Sequence, residues 1–166
     1  MIRKHILMAL SLLGSLFIYL FYRTQKTAIN EIALSLLSES EYQALRESIR
    51  SALPLNDPTI YSLPEGLWVF CITLTSQSFY FKFRQLQLAC VYLPPVVALG
   101  FELFQLLGIT KGRFDVVDIA VSLLFWMLAQ FLFPKNREQD LLASFSFRNS
   151  LCVLSYCIVY LAHVFD

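Results

Sequence analysis

Residues 85–134 read QLQLACVYLPPVVALGFELFQLLGITKGRFDVVDIAVSLLFWMLAQFLFP. Charge occurs in this stretch only at Glu102, Lys111, Arg113, Asp115 and Asp118, so two uncharged runs, Gln85–Phe101 and Ile119–Pro134, flank one polar connection. The same spacing recurs outside it: Ile6–Tyr22, Gly66–Phe81 and Asn149–Phe165 also lack Asp, Glu, Lys and Arg. Each run has 16 or 17 residues. With its edge residues included, each reaches the roughly 17–25 helical residues that a hydrocarbon core of about 30 Å demands. Lipid cannot hydrogen-bond a backbone, so such runs are expected to be α-helices. The expected fold class is therefore all-α, a multi-pass transmembrane helical bundle forming a single membrane domain over 1–166. Its spans are expected at 5–22, 63–81, 86–110, 115–134 and 149–165, with a polar helical segment at 23–62.

Composition agrees with this and excludes several alternatives. The 166 residues are 57% hydrophobic and 15% charged, against about 45–50% and 25% in soluble domains. The 13 basic and 12 acidic residues nearly cancel, which leaves no field for gripping nucleic acid. Cys71, Cys90, Cys152 and Cys157 lie in apolar runs without a C-x-x-C, and read as small packing residues rather than redox groups. His5 and His163 stand at opposite ends of the chain, so no zinc site is expected. The markers of serine hydrolases, P-loop proteins, dinucleotide binders and zincins are missing, and no metal or cofactor is assigned.

Arg3 and Lys4 precede an apolar core as in a signal peptide, but no A-x-A cleavage site follows, so the first run is expected to be an uncleaved anchor. Between Arg23 and Ser62, the spacing of Ala28, Ile29, Ile32, Ala33, Leu36 and Leu37 predicts one amphipathic helix. Ser38 and Glu41 form a capping-box pattern for a second, marked by Tyr42, Leu45, Ile49 and Leu53 and ended by Pro54 and Asn56-Asp57-Pro58. This hairpin is expected to lie on the membrane surface or the bundle, with a docked protein partner as the alternative. Ser62 and Glu65 repeat the capping pattern before the second span. Pro94 and Pro95 either kink the third helix or mark its start, and Gly100 would let another helix approach closely. Lys and Arg in the loops divide seven against six, a slight preference for an N-terminus in the cytoplasm.

The polar connection carries the candidate site. Glu102 lies inside a span, and Gln105, three residues later, shares its face. The short turn from Gly108 to Arg113 forces the two helices into antiparallel contact, and Asp115 and Asp118 open the second on one face. A carboxylate in hydrocarbon costs several kcal/mol unless paired or hydrated. Glu102, Gln105, Arg113, Asp115 and Asp118 are therefore the candidate ligand-binding residues. One Arg among carboxylates suits a charged or sugar-bearing headgroup, whereas a protonated Glu102 suits proton transfer. The plain alternative is a structural network, with the aspartates favoured at a helix N-terminus and the cations as interfacial anchors. The hydroxyls and amide of Thr73, Thr75, Ser76, Gln77 and Ser78 admit either packing or a path.

The motif F-E-L-F-Q followed by G-R-F-D-V-V-D resembles the core of the VanZ-like family, with Glu102, Gln105, Arg113, Asp115 and Asp118 matching its polar positions. The resemblance covers Leu63–Phe133, and Tyr61–Trp68 is also similar to small membrane proteins of this kind. Where the family carries Asn and spaced glycines, this chain has Ser122, Phe125 and Ala129. The resemblance implies a bacterial multi-pass protein of the cytoplasmic membrane, with a role at the cell envelope and membrane lipids or a lipid-linked headgroup as partners; the family's namesake is linked to glycopeptide (teicoplanin) resistance. A small proton-coupled transporter and a non-catalytic subunit or assembly factor docking through 23–62 are the competing classes. Paired acids also permit acid–base chemistry, but no nucleophile accompanies them, so enzymatic activity is left open.

Overall fold

The computed structural model describes residues 2–23, 38–83, 86–110, 113–133, 139–140, 150 and 152–156, and over these the chain is mostly helical. The helices are α1 (Ile2–Phe21), α2 (Glu39–Ala52), α3 (Asp57–Tyr61), α4 (Leu63–Ser76), α5 (Leu93–Leu106) and α6 (Val116–Leu132). The helix expected over Ala28–Leu37, and the fifth span apart from 150 and 152–156, lie outside the described residues.

Helix α4 is mostly apolar, with Glu65 in its first turn and Thr73, Thr75 and Ser76 toward its end, and most of its residues are buried by its neighbours. It packs against α1, α3, α5 and α6. Phe70, Cys71 and Leu74 meet Met8 of α1 and Ala129 of α6 in the main core, with Phe125 and Phe133 against them. Side-chain bonds set the directions. Lys4 Nζ donates to Gln77 Oε1 at 3.3 Å and Ser15 Oγ to the Pro64 carbonyl at 3.4 Å, so α1 and α4 are antiparallel. Ser122 Oγ donates to Glu65 at 3.4 Å, and Gln77 Nε2 donates to the carbonyls of Ala129 at 2.8 Å and Phe133 at 3.1 Å, so α4 and α6 are parallel. Trp126 Nε1 donates to the Val91 carbonyl at 2.9 Å, as antiparallel α5 and α6 require. The turn between them starts at Gly108, whose φ of 70° is one that a side chain disfavours.

The close approach predicted at Gly100 occurs at Gly66 instead. Among the described residues, a Cβ at Gly100 would meet nothing within 4 Å, whereas one at Gly66 would lie 2.6 Å from Phe125 Cδ2 and 2.7 Å from Val121 Cγ1. The large Phe125 is accommodated by glycine on the facing helix.

Two apolar runs are not helical throughout. The run expected as 63–81 leaves the helix after Ser76 and enters strand β1 (Phe79–Phe83), which pairs antiparallel with β2 (Leu86–Ala89) in the register Tyr80↔Ala89 to Phe83↔Leu86. A short β3 (Gln139–Asp140) adds parallel to β1. The cause is a period of two: Phe79, Phe81 and Phe83 alternate with Tyr80 and Lys82, and Leu86 and Leu88 with Gln87. After a 3₁₀ turn at Cys90–Tyr92, Pro94 and Pro95 stand in the first turn of α5, where a missing N–H costs nothing. They begin this helix and do not kink it.

In α2 the expected capping box is complete: the Glu41 amide donates to Ser38 Oγ, and the Ser38 amide donates to Glu41 Oε2 at 3.2 Å. The Ser38 hydroxyl, donating to Glu41 Oε2 at 2.6 Å, and then the Ser38 amide hold the Glu41 carboxyl below its ordinary pKa. Ser62, by contrast, makes no side-chain cap bond on α4; it is buried beside Asp118. Asn56 starts α3, its Oδ1 accepting from the Thr59 amide at 3.2 Å, so the cluster expected only to stop a helix also begins one. Arg46 and Arg50 of α2 donate to the carbonyls of Phe21, Tyr22 and Arg23, satisfying the C-terminal end of α1.

Among the described residues, Arg3–Phe21 is the one helix long and apolar enough to cross a membrane, with a mean hydropathy of 1.7. The apolar segments Cys90–Leu106 and Val116–Leu132 are shorter.

Candidate functional site

The helix directions bring four chain ends together: the C-terminal ends of α1 and α5 and the N-terminal ends of α4 and α6. Glu65 lies in the first turn of α4 and Asp118 in the first turn of α6, where the positive helix end favours a carboxylate. Glu102 comes from the last turns of α5, where its own helix disfavours it. It is only 2% exposed, and Oε2 accepts the Asp115 amide hydrogen at 3.0 Å, a donor supplied by the neighbouring helix start. Carboxylate oxygens of Glu65, Glu102 and Asp118 all lie within 4.8 Å of one another.

Three negative charges at that separation repel, and burial strengthens the repulsion. Arg23, just past α1, lies near enough to act electrostatically on Glu65 and Asp118. Its guanidinium is fixed by the Tyr61 carbonyl at 3.1 Å and stacks 4.4 Å from the centre of the Tyr19 ring. Among the described residues, one cation against three acids leaves the cluster short of positive charge. Among the described residues, Asp118 Oδ1 and Arg23 Nε are buried without a hydrogen-bond partner, and each such atom is costly to leave unmatched.

Of the five residues predicted from sequence, Glu102 and Asp118 are brought together. Asp115 stands beside them as the cap of α6, its Oδ1 accepting the Val117 amide at 2.8 Å. Gln105 is half-buried and no described hydrogen bond joins it to the cluster. Arg113 is exposed, and among the described residues nothing pairs with it; the cation at the site is Arg23. Glu65 and Arg23 were missed because Glu65 had a sufficient local explanation as a helix cap, and neither is near the motif in sequence. The parallel α4–α6 contact that joins them depends on Gly66.

All-oxygen carboxylates suit a hard divalent cation, so Glu65, Glu102 and Asp118 form a donor set that can hold one, although the sequence assigned no metal. They equally suit an ammonium or hydroxyl-rich group.

The polar side of α4 is structural. Thr73 Oγ1 donates to the Val69 carbonyl at 2.6 Å, Thr75 Oγ1 to that of Ile72 at 2.8 Å, Ser76 Oγ shares a hydrogen bond with Tyr156 Oη at 2.9 Å, and Gln77 caps α6. Cys71, Cys90 and Cys152 are buried free thiols.

Comparison with protein-family models, with curated proteins and with solved structures returns no match to this chain.

Proposed function

We propose that this chain is a multi-pass membrane protein of the bacterial cell envelope, VanZ-like in α4–α6, and that the Glu65–Glu102–Asp118 cluster binds the polar head of a lipid or lipid-linked ligand. The observation that carries the reading is the convergence of three acids from three helices, with Arg23 beside them among the described residues, at one end of an otherwise apolar bundle. The distribution of polarity supports a lipid surround. Phe131 is 86% exposed, and Leu13, Val96 and Leu124 are also exposed, whereas Thr73, Ser76, Glu102 and Ser122 are buried. Polar groups inside and apolar groups outside suit a hydrocarbon solvent.

The test is single substitution. Glu65→Gln, Glu102→Gln and Asp118→Asn preserve size and hydrogen-bonding capacity while removing charge. Each is expected to abolish complementation of a deletion strain's sensitivity to a wall-directed glycopeptide, with membrane levels unchanged. Variants that simply fail to accumulate would assign the cluster a structural role. Variants that complement fully would end the binding reading. The transporter reading gains no support from α4, because the hydroxyls that would line a path are hydrogen-bonded to backbone and neighbouring side chains.

A further inference from the structure

Tyr42, Arg46 and Arg50 recur every fourth residue and so share one face of α2. That face is turned onto the end of α1. Tyr42 Oη donates to the Leu20 carbonyl at 2.5 Å. Arg46 donates from Nε to the Phe21 carbonyl at 3.0 Å and from Nη2 to that of Arg23. Arg50 donates to Phe21 at 2.8 Å and to Tyr22 at 2.6 Å. Each carbonyl from Leu20 to Arg23 is thus taken by a side chain of α2. The clasp is reciprocal, since Tyr22 Oη donates to the Leu53 carbonyl at the end of α2 at 2.5 Å. Tyr22, Tyr42 and Arg46 are buried. The charges that α2 leaves exposed are Glu39, Glu41 and Glu47, a face that an anionic headgroup surface repels.

Of these side-chain bonds, that of Arg46 alone reaches Arg23. The Arg23 side chain is fixed at its other end: Nη2 donates to the Tyr61 carbonyl at 3.1 Å, and the guanidinium lies 4.4 Å from the centre of the Tyr19 ring and 5.9 Å from that of Tyr61. A carbonyl and two ring faces orient a guanidinium without cancelling its charge, which stays available to Glu65 and Asp118. An arginine held at neither end samples many rotamers and carries its head into water. We infer that α2 is the positioning element of the acidic site and Arg46 its positioning residue: by holding the Arg23 carbonyl, Arg46 sets where the Arg23 charge stands beside Glu65 and Asp118. This rests on the reading proposed above, in which that end of the bundle is the site. It gives α2 an internal task that neither a membrane-surface helix nor a partner dock requires.

Arg50 supplies the control, because it clasps the same turn of α1 without touching Arg23. Double-mutant cycles of thermal unfolding, run on the full chain in detergent, pair Arg46→Gln and separately Arg50→Gln with Glu65→Gln. Both arginine variants lower the midpoint through the lost clasp. Arg46→Gln also releases Arg23, so its loss should shrink by roughly 2–4 °C once Glu65→Gln has removed a charge that Arg23 faces. The Arg50→Gln loss should be the same in either background. Arg46→Lys keeps a charge but lacks the planar fork that bridges two carbonyls; it should show the same coupling with a smaller loss, and it carries the test where Arg46→Gln does not accumulate. Coupling should vanish in chains that also carry Arg23→Gln. Additive effects of the Arg46 variants and Glu65→Gln overturn the proposal, as does an equal coupling of Arg50→Gln or a coupling that survives Arg23→Gln. Failure here is separable from failure of the envelope reading. Additive cycles together with loss of complementation by Glu102→Gln retain the site and remove the clamp. A coupled Arg46 in a chain whose Glu65, Glu102 and Asp118 variants all complement retains the clamp and ends the binding reading.

Discussion

Glu102 joins α5 to α6 through one bond, from the Asp115 amide, and the consequence of losing it depends on what replaces the carboxylate. Glu102→Gln keeps an acceptor for that amide, whereas Glu102→Ala removes it, and because Asp115 is exposed and water can replace the acceptor the loss is about 0.5–1.5 kcal/mol. Thermal unfolding in detergent should place Glu102→Ala clearly below Glu102→Gln; equal midpoints would show that the amide bond contributes nothing. The two arginines give a sharper contrast. Arg113 is the cation that the family resemblance singles out, yet it is exposed, and Arg113→Gln is expected to leave complementation and stability within error of the unsubstituted protein. Arg23→Gln removes the charge beside Glu65 and Asp118 and should impair complementation. The reverse result would restore Arg113 to the site. Glu102 and Asp118 were legible from sequence because charge is conspicuous in an apolar run. Glu65 was equally visible as a residue but not as a partner, since a first-turn acid needs no tertiary explanation.

At the scale of elements, period and caps were readable while contacts between helices were not. The α2 capping box follows from Ser38 and Glu41 alone. Because its hydrogen bonds lower the Glu41 pKa, the stabilisation is fully present above the ordinary Glu value of about 4.3 and is lost as pH falls through the lowered folded value. Amide exchange in the first turn of α2 should accelerate in that acidic window, and Ser38→Ala should remove the dependence. Strand β1 was concealed by composition: Phe79–Phe83 extends an apolar run, and its alternation was outweighed by the length criterion. The glycines show the missing information most plainly. Gly66→Ala drives a methyl onto Val121 and Phe125, where overpacking typically costs about 1–3 kcal/mol. Gly100→Ala meets open space and gains helix propensity, stabilising by up to roughly 1 kcal/mol. Melting of the two variants should move in opposite directions. Nothing local distinguishes Gly66 from Gly100; only the partner helix does.

For the whole molecule, the antiparallel α1–α4 and α5–α6 pairs and the parallel α4–α6 pair separate the two ends by charge and chemistry. Arg23, Asp57, Glu65, Glu102 and Asp118 share one end; Lys4, Gln77, Lys82 and Phe133 share the other. If α1, α4, α5 and α6 traverse the bilayer, these ends face opposite compartments, and the loop cations, split seven against six, do little to say which is which. Helices of 14 residues cover about 21 Å, less than the roughly 30 Å of a bilayer core. The strands after α4 and the 3₁₀ turn before α5 would then complete the crossing, the β1–β2 ladder pairing their facing backbone groups and its tip at Lys82 reaching the aqueous interface. Cysteine labelling checks the arrangement. With the four native cysteines replaced by alanine, Asp57→Cys and Lys82→Cys place single thiols at exposed positions on the two ends. A membrane-impermeant maleimide applied to intact cells should modify one and spare the other until the cells are opened. Modification of both from outside would mean that α4 does not cross the bilayer, and the carboxylate cluster would then need an explanation that owes nothing to lipid.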